Sequence, residues 1–271
     1  MSSTTTAQLY TPEPEIERDR LGRPLIVPPG QQGTGARVAY TRVTTFVGCL
    51  EDRYQLEKWM QRMVIIGLTD SPGLLLSAAA HRDDKTMLNT IADDAQMVAK
   101  AREPATIGTA VHKFCADIDR GLDVGLIPGD YQRDIDAYKR ATAQMRHVHI
   151  EQFMVLDEFA VGGTPDRIVE LWGKRFISDQ KTGDISRAGK IAMQLACYAH
   201  SELYDVTTHT RTPIEVDQNN AIIVHSPAGT GECKLYWVNI AAGWEAVKLA
   251  HQVRQWRAGQ NKLVAPFPEG A

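Results

Sequence analysis

The chain has 271 residues, of which 43% are hydrophobic and 23% charged, with a formal net charge of −3. That is room for one large domain or two small ones around a substantial core, in an ordinary globular composition. The balance excludes a protein that coats phosphates through an overall basic field, but not an enzyme with a local basic groove around an acidic site. No apolar run reaches the roughly 18 residues of a membrane span. Met1 to Gln8 is polar and lacks a secretory apolar segment, so a cytoplasmic protein without a membrane partner is expected.

Residues 1–38 are rich in Pro, Gly and Thr and read as a loosely ordered arm, in which Leu25-Ile26-Val27 can dock as a short strand. Residues 39–103 predict a helical cap. Leu50, Tyr54, Trp59 and Met63 form an apolar stripe expected to pack in the core, Ser71-Pro72-Gly73 interrupts it, Leu74 to His81 resumes it, and a further helix covers Ile91 to Ala101. Residues 104–260 form the predicted main core. Ile107 to Gly121 is an amphipathic helix with Ile107, Val111, Phe114 and Ile118 on one face, followed by a helix over Tyr131 to Met145.

The period then changes to two. Phe153–Leu156, Arg167–Leu171 and Arg175–Ser178 read as successive strands, the first two joined through Gly162-Gly163 and the second pair through Trp172-Gly173-Lys174. A helix over Ser186 to Tyr204, a hairpin of 221–225 with 234–238 around Pro227 to Gly231, and a helix over Trp244 to Trp256 follow, and 261–271 is a tail. The fold class is therefore α/β or α+β, a mixed sheet flanked by helices with a helical N-terminal half. Cys49, Cys115, Cys197 and Cys233 are widely spaced, without a Cys-x-x-Cys pair, and read as reduced, mostly buried thiols.

Four segments carry candidate chemistry. In Ile177-Ser178-Asp179-Gln180-Lys181-Thr182-Gly183, alternation along a strand projects Asp179 and Lys181 from one face. Asp166 follows a turn at the start of the preceding strand, and the short connection predicts antiparallel pairing that lets the two carboxylates converge. His112 flanks the apolar stripe of its helix, a place for a packed or surface histidine as much as for a ligand. Gln194 and Tyr198, four residues apart, share one helix face. Two carboxylates, an imidazole and a carbonyl suit Mg²⁺ or Mn²⁺ with positions left for water and phosphate oxygens.

In this order, Gly108 with His112, Gly163 with Asp166, Asp179 with Lys181-Thr182-Gly183, and Gln194 with Tyr198 resemble the RecB-type branch of the PD-(D/E)xK nuclease superfamily over roughly residues 104 to 240. Arg42-Val43-Thr44-Thr45 and Leu56-Glu57-Lys58-Trp59 resemble, more loosely, exonucleases of actinobacterial bacteriophages. The resemblance implies a restriction-endonuclease-like core and a metal-dependent deoxyribonuclease, an exonuclease in preference to an endonuclease. The other class of reading is a catalytically silent DNA-binding or partner-docking module of the same fold.

By the resemblance His112, Asp166, Asp179 and the carbonyl of Gln180 hold Mg²⁺ or Mn²⁺, and Lys181 is the catalytic lysine. Gln194, Tyr198, Thr182 and Arg167 contact DNA or brace the site. Ala116 stands where relatives often carry an acid, so a second metal would draw on Asp117, Glu158 or water. Only Cys233 follows the Gln194–Tyr198 helix, so the iron–sulfur cluster of some relatives is expected to be absent. DNA with free ends is the implied partner, with a single-strand annealing protein or a separate helicase beside it, since the chain has no phosphate-binding Gly-x-x-x-x-Gly-Lys loop. Arg167, Lys174, Arg175, Arg187 and Lys190 are candidates to flank the cleft or are plain surface charge.

Overall fold

The computed structural model describes residues 14–32, 35–101, 103–186 and 188–265. The predicted tail lies partly, and Arg187 wholly, outside them. The chain divides into two compact units, one made of Met1–Leu50 with Phe114–Ala271 and one of Glu51–Lys113. The predicted boundaries at 38 and 103 move accordingly, because residues 39–50 pack with the first unit.

Among the described residues the first unit opens with strands β1 (Leu25–Ile26), β2 (Val38–Ala39) and β3 (Thr41–Arg42) and the short helix α1 (Val43–Val47). The expected loose arm is thus part of the fold over its later residues. β1 pairs antiparallel with β2, and Ile26 and Val27 are fully buried. Arg211 explains the anchoring: it donates to the Val27 carbonyl at 2.8 Å and pairs with Asp157, which also accepts from the Tyr40 hydroxyl at 2.6 Å.

The second unit holds α2 (Tyr54–Asp70), α3 (Pro72–Ala80) and α4 (Lys85–Val98). Pro72 starts α3, where its missing N–H costs nothing. Asp84 caps α4 by accepting from the Thr86 and Met87 amides. The stripe predicted for α2 is corrected. Tyr54 is exposed and Trp59 is 37% exposed, whereas Leu56, Met60, Met63, Val64 and Gly67 form the covered face. A Cβ at Gly67 would lie 1.8 Å from the Ala95 carbonyl oxygen, so contact of α2 with α4 at this glycine sets which face turns inward.

α5 (Glu103–Asp119) runs from one unit into the other, and α6 (Gly129–Thr142) follows. The strands after them are β4 (Arg146–Ile150), β5 (Met154–Leu156), β6 (Val161–Gly163), β7 (Arg167–Leu171) and β8 (Lys174–Lys181). Then come α7 (Ala188–Ala199), β9 (Glu202–Tyr204), β10 (Arg211–Thr212), β11 (Asn220–His225), β12 (Lys234–Asn239) and α8 (Ile240–Gly259). The fold is α+β with two mixed five-stranded sheets rather than the one expected. The first has the order β12-β11-β8-β7-β4 and is antiparallel except for β8 with β11. The second has the order β10-β9-β5-β6-β3.

The predicted strand at 153–156 belongs to this second sheet, and Gly162-Gly163 is part of β6 instead of a turn leading to β7. The predicted helix to Tyr204 stops at Ala199, because Glu202–Tyr204 pairs with β5. One face of the first sheet, with Ile168, Ile177 and Ile223, packs in a single core with Leu195 and Tyr198 of α7, Phe46 and Val47 of α1, and Val247 of α8.

Burial lowers the imidazoles of His147 and His200 from the ordinary 6.5; beside His147 the charge of Asp119 opposes this shift and that of Arg167 adds to it, and beside His200 Glu158 opposes it. Both histidines are therefore held neutral in the native state and gain protons more readily when unfolded. Their contribution is present above pH 6.5 and lost as pH falls below it. The urea midpoint is expected to be lower at pH 5.5 than at pH 7.5, with the difference reduced in a His147→Gln variant; equal midpoints for the wild-type protein at the two pH values would rule this out.

Candidate active site

The site is built on the β7–β8 hairpin. Its register pairs Arg167 with Ser178 and Ile168 with Ile177, so one step further Asp166 stands opposite Asp179. Alternation puts Ile177, Asp179 and Lys181 on the face that packs against α7, and Phe176, Ser178 and Gln180 on the reverse. Asp179 is 2% exposed, and its carboxylate is paired with the half-buried Lys181 ammonium. Asp166 reaches across to β8 and accepts the Gln180 backbone N–H through Oδ2 at 2.7 Å. In an extended strand a residue's N–H and C=O point to the same edge, so the Gln180 carbonyl faces Asp166 as well.

α7 covers this end of the sheet. Gln194 bonds to the Tyr198 side chain, and Tyr198 is buried. Burial raises the Tyr198 phenol, the Gln194 bond opposes the rise, and the nearby charges of Asp179 and Asp166 add to it. These couplings bring the two acids and the helix pair to one place. Gly163 packs closely there, since a Cβ would lie 3.0 Å from both the Tyr198 hydroxyl and Val43 Cγ2 and would press on these side chains.

The loop after Lys181 is tied to β11 and its hairpin. The Lys181 carbonyl accepts from the Ser226 N–H at 2.8 Å, the Thr182 carbonyl from Ala228 at 3.4 Å, and His225 Nε2 lies 2.9 Å from the Gly183 carbonyl. The hairpin loop is held from behind by the buried Asp134 of α6, which accepts the Gly229 and Gly231 amides at 2.6 and 2.7 Å. Sequence reading passed over Asp134 and His225. The Gly-Thr-Gly of the loop was the available signal, but nothing local marked which acid would meet its amides.

Asp166, Asp179, Gln180, Lys181, Gln194 and Tyr198 thus come together, with Thr182 half-buried next to them. His112 lies half-buried on α5 and belongs to the second unit. Arg167 is corrected as a DNA contact. Its side chain is 1% exposed on the reverse face of the sheet, paired with Asp119 of α5. Lys174 and Arg175 follow the surface-charge alternative: both are exposed at the start of β8, at the end away from Asp179, and Arg175 lies 4.0 Å from Glu170. Lys190 is half-buried on α7. Of the acids considered for a second metal, Asp117 pairs with Arg120 at 3.5 Å and Glu158 acts on His200.

No protein-family model matches the chain, and no curated protein matches it.

The chemistry therefore rests on the donor set. Among the described residues no three His, Cys, Asp or Glu side chains gather as a metal-holding group. Mg²⁺ does not need such a cage, because it keeps several waters and takes one or two carboxylates plus substrate phosphates. Asp166, Asp179 and the Gln180 carbonyl are hard oxygen donors that fit this mode. All four cysteines are free thiols, and burial pushes Cys115 and Cys197 up to about 12. No single helix among the described residues is long and apolar enough to cross a membrane.

Proposed function

We propose that the protein is a metal-dependent deoxyribonuclease with a PD-(D/E)xK-type core, acting as an exonuclease on DNA ends. The observation that carries the reading is the β7–β8 register, which sets Asp166 against Asp179 with Lys181 beside them under α7. Mg²⁺ or Mn²⁺, when bound, supplies a water of lowered pKa and neutralises phosphate charge. Asp166, Asp179 and the Gln180 carbonyl would hold the ion. Lys181, kept in place by Asp179, orients the attacking water and offsets charge developing on the phosphate. Tyr198 and Gln194 fix the face of α7 that meets the phosphate oxygens.

The preference for ends rests on the resemblance of Arg42 to Thr45 and Leu56 to Trp59 to phage exonucleases, which also suggests a role in phage recombination or replication beside an annealing protein or a separate helicase. The second reading is a silent DNA-binding or partner-docking module of the same fold.

End-labelled linear DNA and closed circular DNA, incubated side by side with Mg²⁺, Mn²⁺ or EDTA, separate the readings. The expected result is metal-dependent, EDTA-sensitive loss of linear DNA with the circle intact. Cutting of the circle would make the protein an endonuclease. DNA left uncut with every metal would leave the silent module.

A further inference from the structure

Behind the β7–β8 hairpin, on the face away from Lys181, lies a buried polar cluster within the first unit. Arg167 donates through Nε to Asp119 Oδ2, and its guanidinium sits 5.3 Å from the centre of the Tyr138 ring. The Tyr138 hydroxyl donates to the same carboxylate at 2.6 Å, and His147 Nε2 stands 3.3 Å from its other oxygen. Arg167 also reaches Gln180 Oε1 from Nη2 at 3.5 Å, and Gln180 Nε2 donates to Cys115 Sγ at 3.3 Å.

A buried Arg–Asp pair is a poor way to gain stability. Desolvation offsets much of its Coulombic attraction, and apolar side chains of similar volume serve at least as well. Its presence therefore points to a demand on position. The group it positions is Gln180, whose amide is held at the oxygen by Arg167 and at the nitrogen by Cys115. Gln180 connects the two faces of the sheet, because its backbone N–H is the donor that fixes the Asp166 carboxylate.

We infer that Asp119, Arg167, Cys115 and the Gln180 side chain form a reverse-face lock that positions the cation-binding edge through the Gln180 peptide. Arg167 and Gln180 are its positioning residues. The inference rests on the nuclease reading. The lock sets the backbone carbonyl of Gln180 and, through its N–H, the carboxylate of Asp166. It touches neither Lys181 nor the substrate. Its loss should therefore weaken ion binding far more than turnover once the ion is saturating.

The test uses the full chain with Mn²⁺ as the probe, by calorimetric titration without DNA and by cleavage of linear DNA across a Mn²⁺ series. Two variants are compared with wild type. Gln180→Met keeps side-chain length and removes both amide contacts. The double variant D119L/R167M replaces the buried pair with apolar side chains. Both are expected to melt cooperatively, with Mn²⁺ affinity and half-saturation for cleavage weakened by about 10–100-fold, the range for residues that support metal ligands from behind. The rate at saturating Mn²⁺ should fall much less.

A folded Gln180→Met protein with wild-type Mn²⁺ binding and half-saturation overturns the lock, whatever the double variant does. A variant that only lowers the melting temperature marks the cluster as plain structure and overturns the lock as well. Wild-type protein that neither binds Mn²⁺ nor cuts DNA overturns the nuclease reading itself, and the lock with it; wild-type cleavage alongside unaffected variants overturns the lock alone.

Discussion

Asp179→Ala is expected to lower cleavage of linear DNA by about 10³-fold or more, roughly 4 kcal/mol of transition-state stabilisation at ~1.4 kcal/mol per tenfold, while DNA affinity is kept or improved. Two effects act together. The substitution removes an oxygen donor from a pair that faces across one antiparallel register, and it releases the Lys181 ammonium from its carboxylate. It also removes a negative charge from a place where phosphates must come close, which is why binding should not suffer. Single-turnover cleavage and anisotropy of labelled DNA measure the two halves separately, with Asp179→Asn as the control of similar shape. Loss of DNA binding in both variants would mean that the ion serves mainly to tether substrate. Undiminished cleavage would remove Asp179 from the chemistry.

The second large effect is on stability. Gly243 of α8 is buried, and a Cβ there would lie 2.4 Å from the Ala192 carbonyl oxygen of α7. That neighbour is main chain, so it cannot swing aside as a side chain would. Overpacking of this kind costs about 1–3 kcal/mol, and the upper end applies here. Alanine returns about 1 kcal/mol through helix propensity, so the clash wins by about 2 kcal/mol. For a domain of this size Gly243→Ala should lower Tm by about 4–8 °C. Gly189→Ala, on the same α7 but with nothing within 4 Å of the added carbon, should leave Tm unchanged or slightly raised. Because α7 carries Gln194 and Tyr198, the Gly243 variant should also cleave more slowly below its melting transition. Equal melting of the two variants would show that the helix pair can part without cost.

The hairpin that carries the acids was legible because its signals are local. Period-two alternation, a two-residue turn at Trp172-Gly173 and a short connection fix the pairing of β7 with β8, and the facing of Asp166 and Asp179 follows from it. The same holds for α7 as a helix and for the shared face of Gln194 and Tyr198. What escaped depends on partners distant in sequence. β4 falls just after a predicted helix, where no element was expected, and β9 in the end of another predicted helix, since both become strands by pairing with β7 and β5. The inward face of α2 is chosen by Gly67 against Ala95, a contact between helices that a stripe of large apolar residues does not announce. Arg167 reads as surface charge from its sequence neighbours, and only the arrival of Asp119 from α5 makes its burial possible.

The parallel pairing of β8 with β11 has a consequence for how the chain comes into being. β7 and β8 can meet as soon as both are made, but the other edge of β8 finds its partner only after α7, β9 and β10 have been synthesised. At about 5–20 residues per second the ribosome leaves that edge open for seconds. During this interval the segment around Ile177 and Asp179 is an unpaired strand border with an apolar residue beside a charge, open to mispairing with other chains. The loop after Lys181, which needs Ser226 and Ala228 to hold it, has no fixed path until then. A nascent chain halted before β11 would carry the paired acids of β7 and β8 but not the loop after Lys181 in its fixed path, so activity should switch on only once β11, which begins at Asn220, has been made.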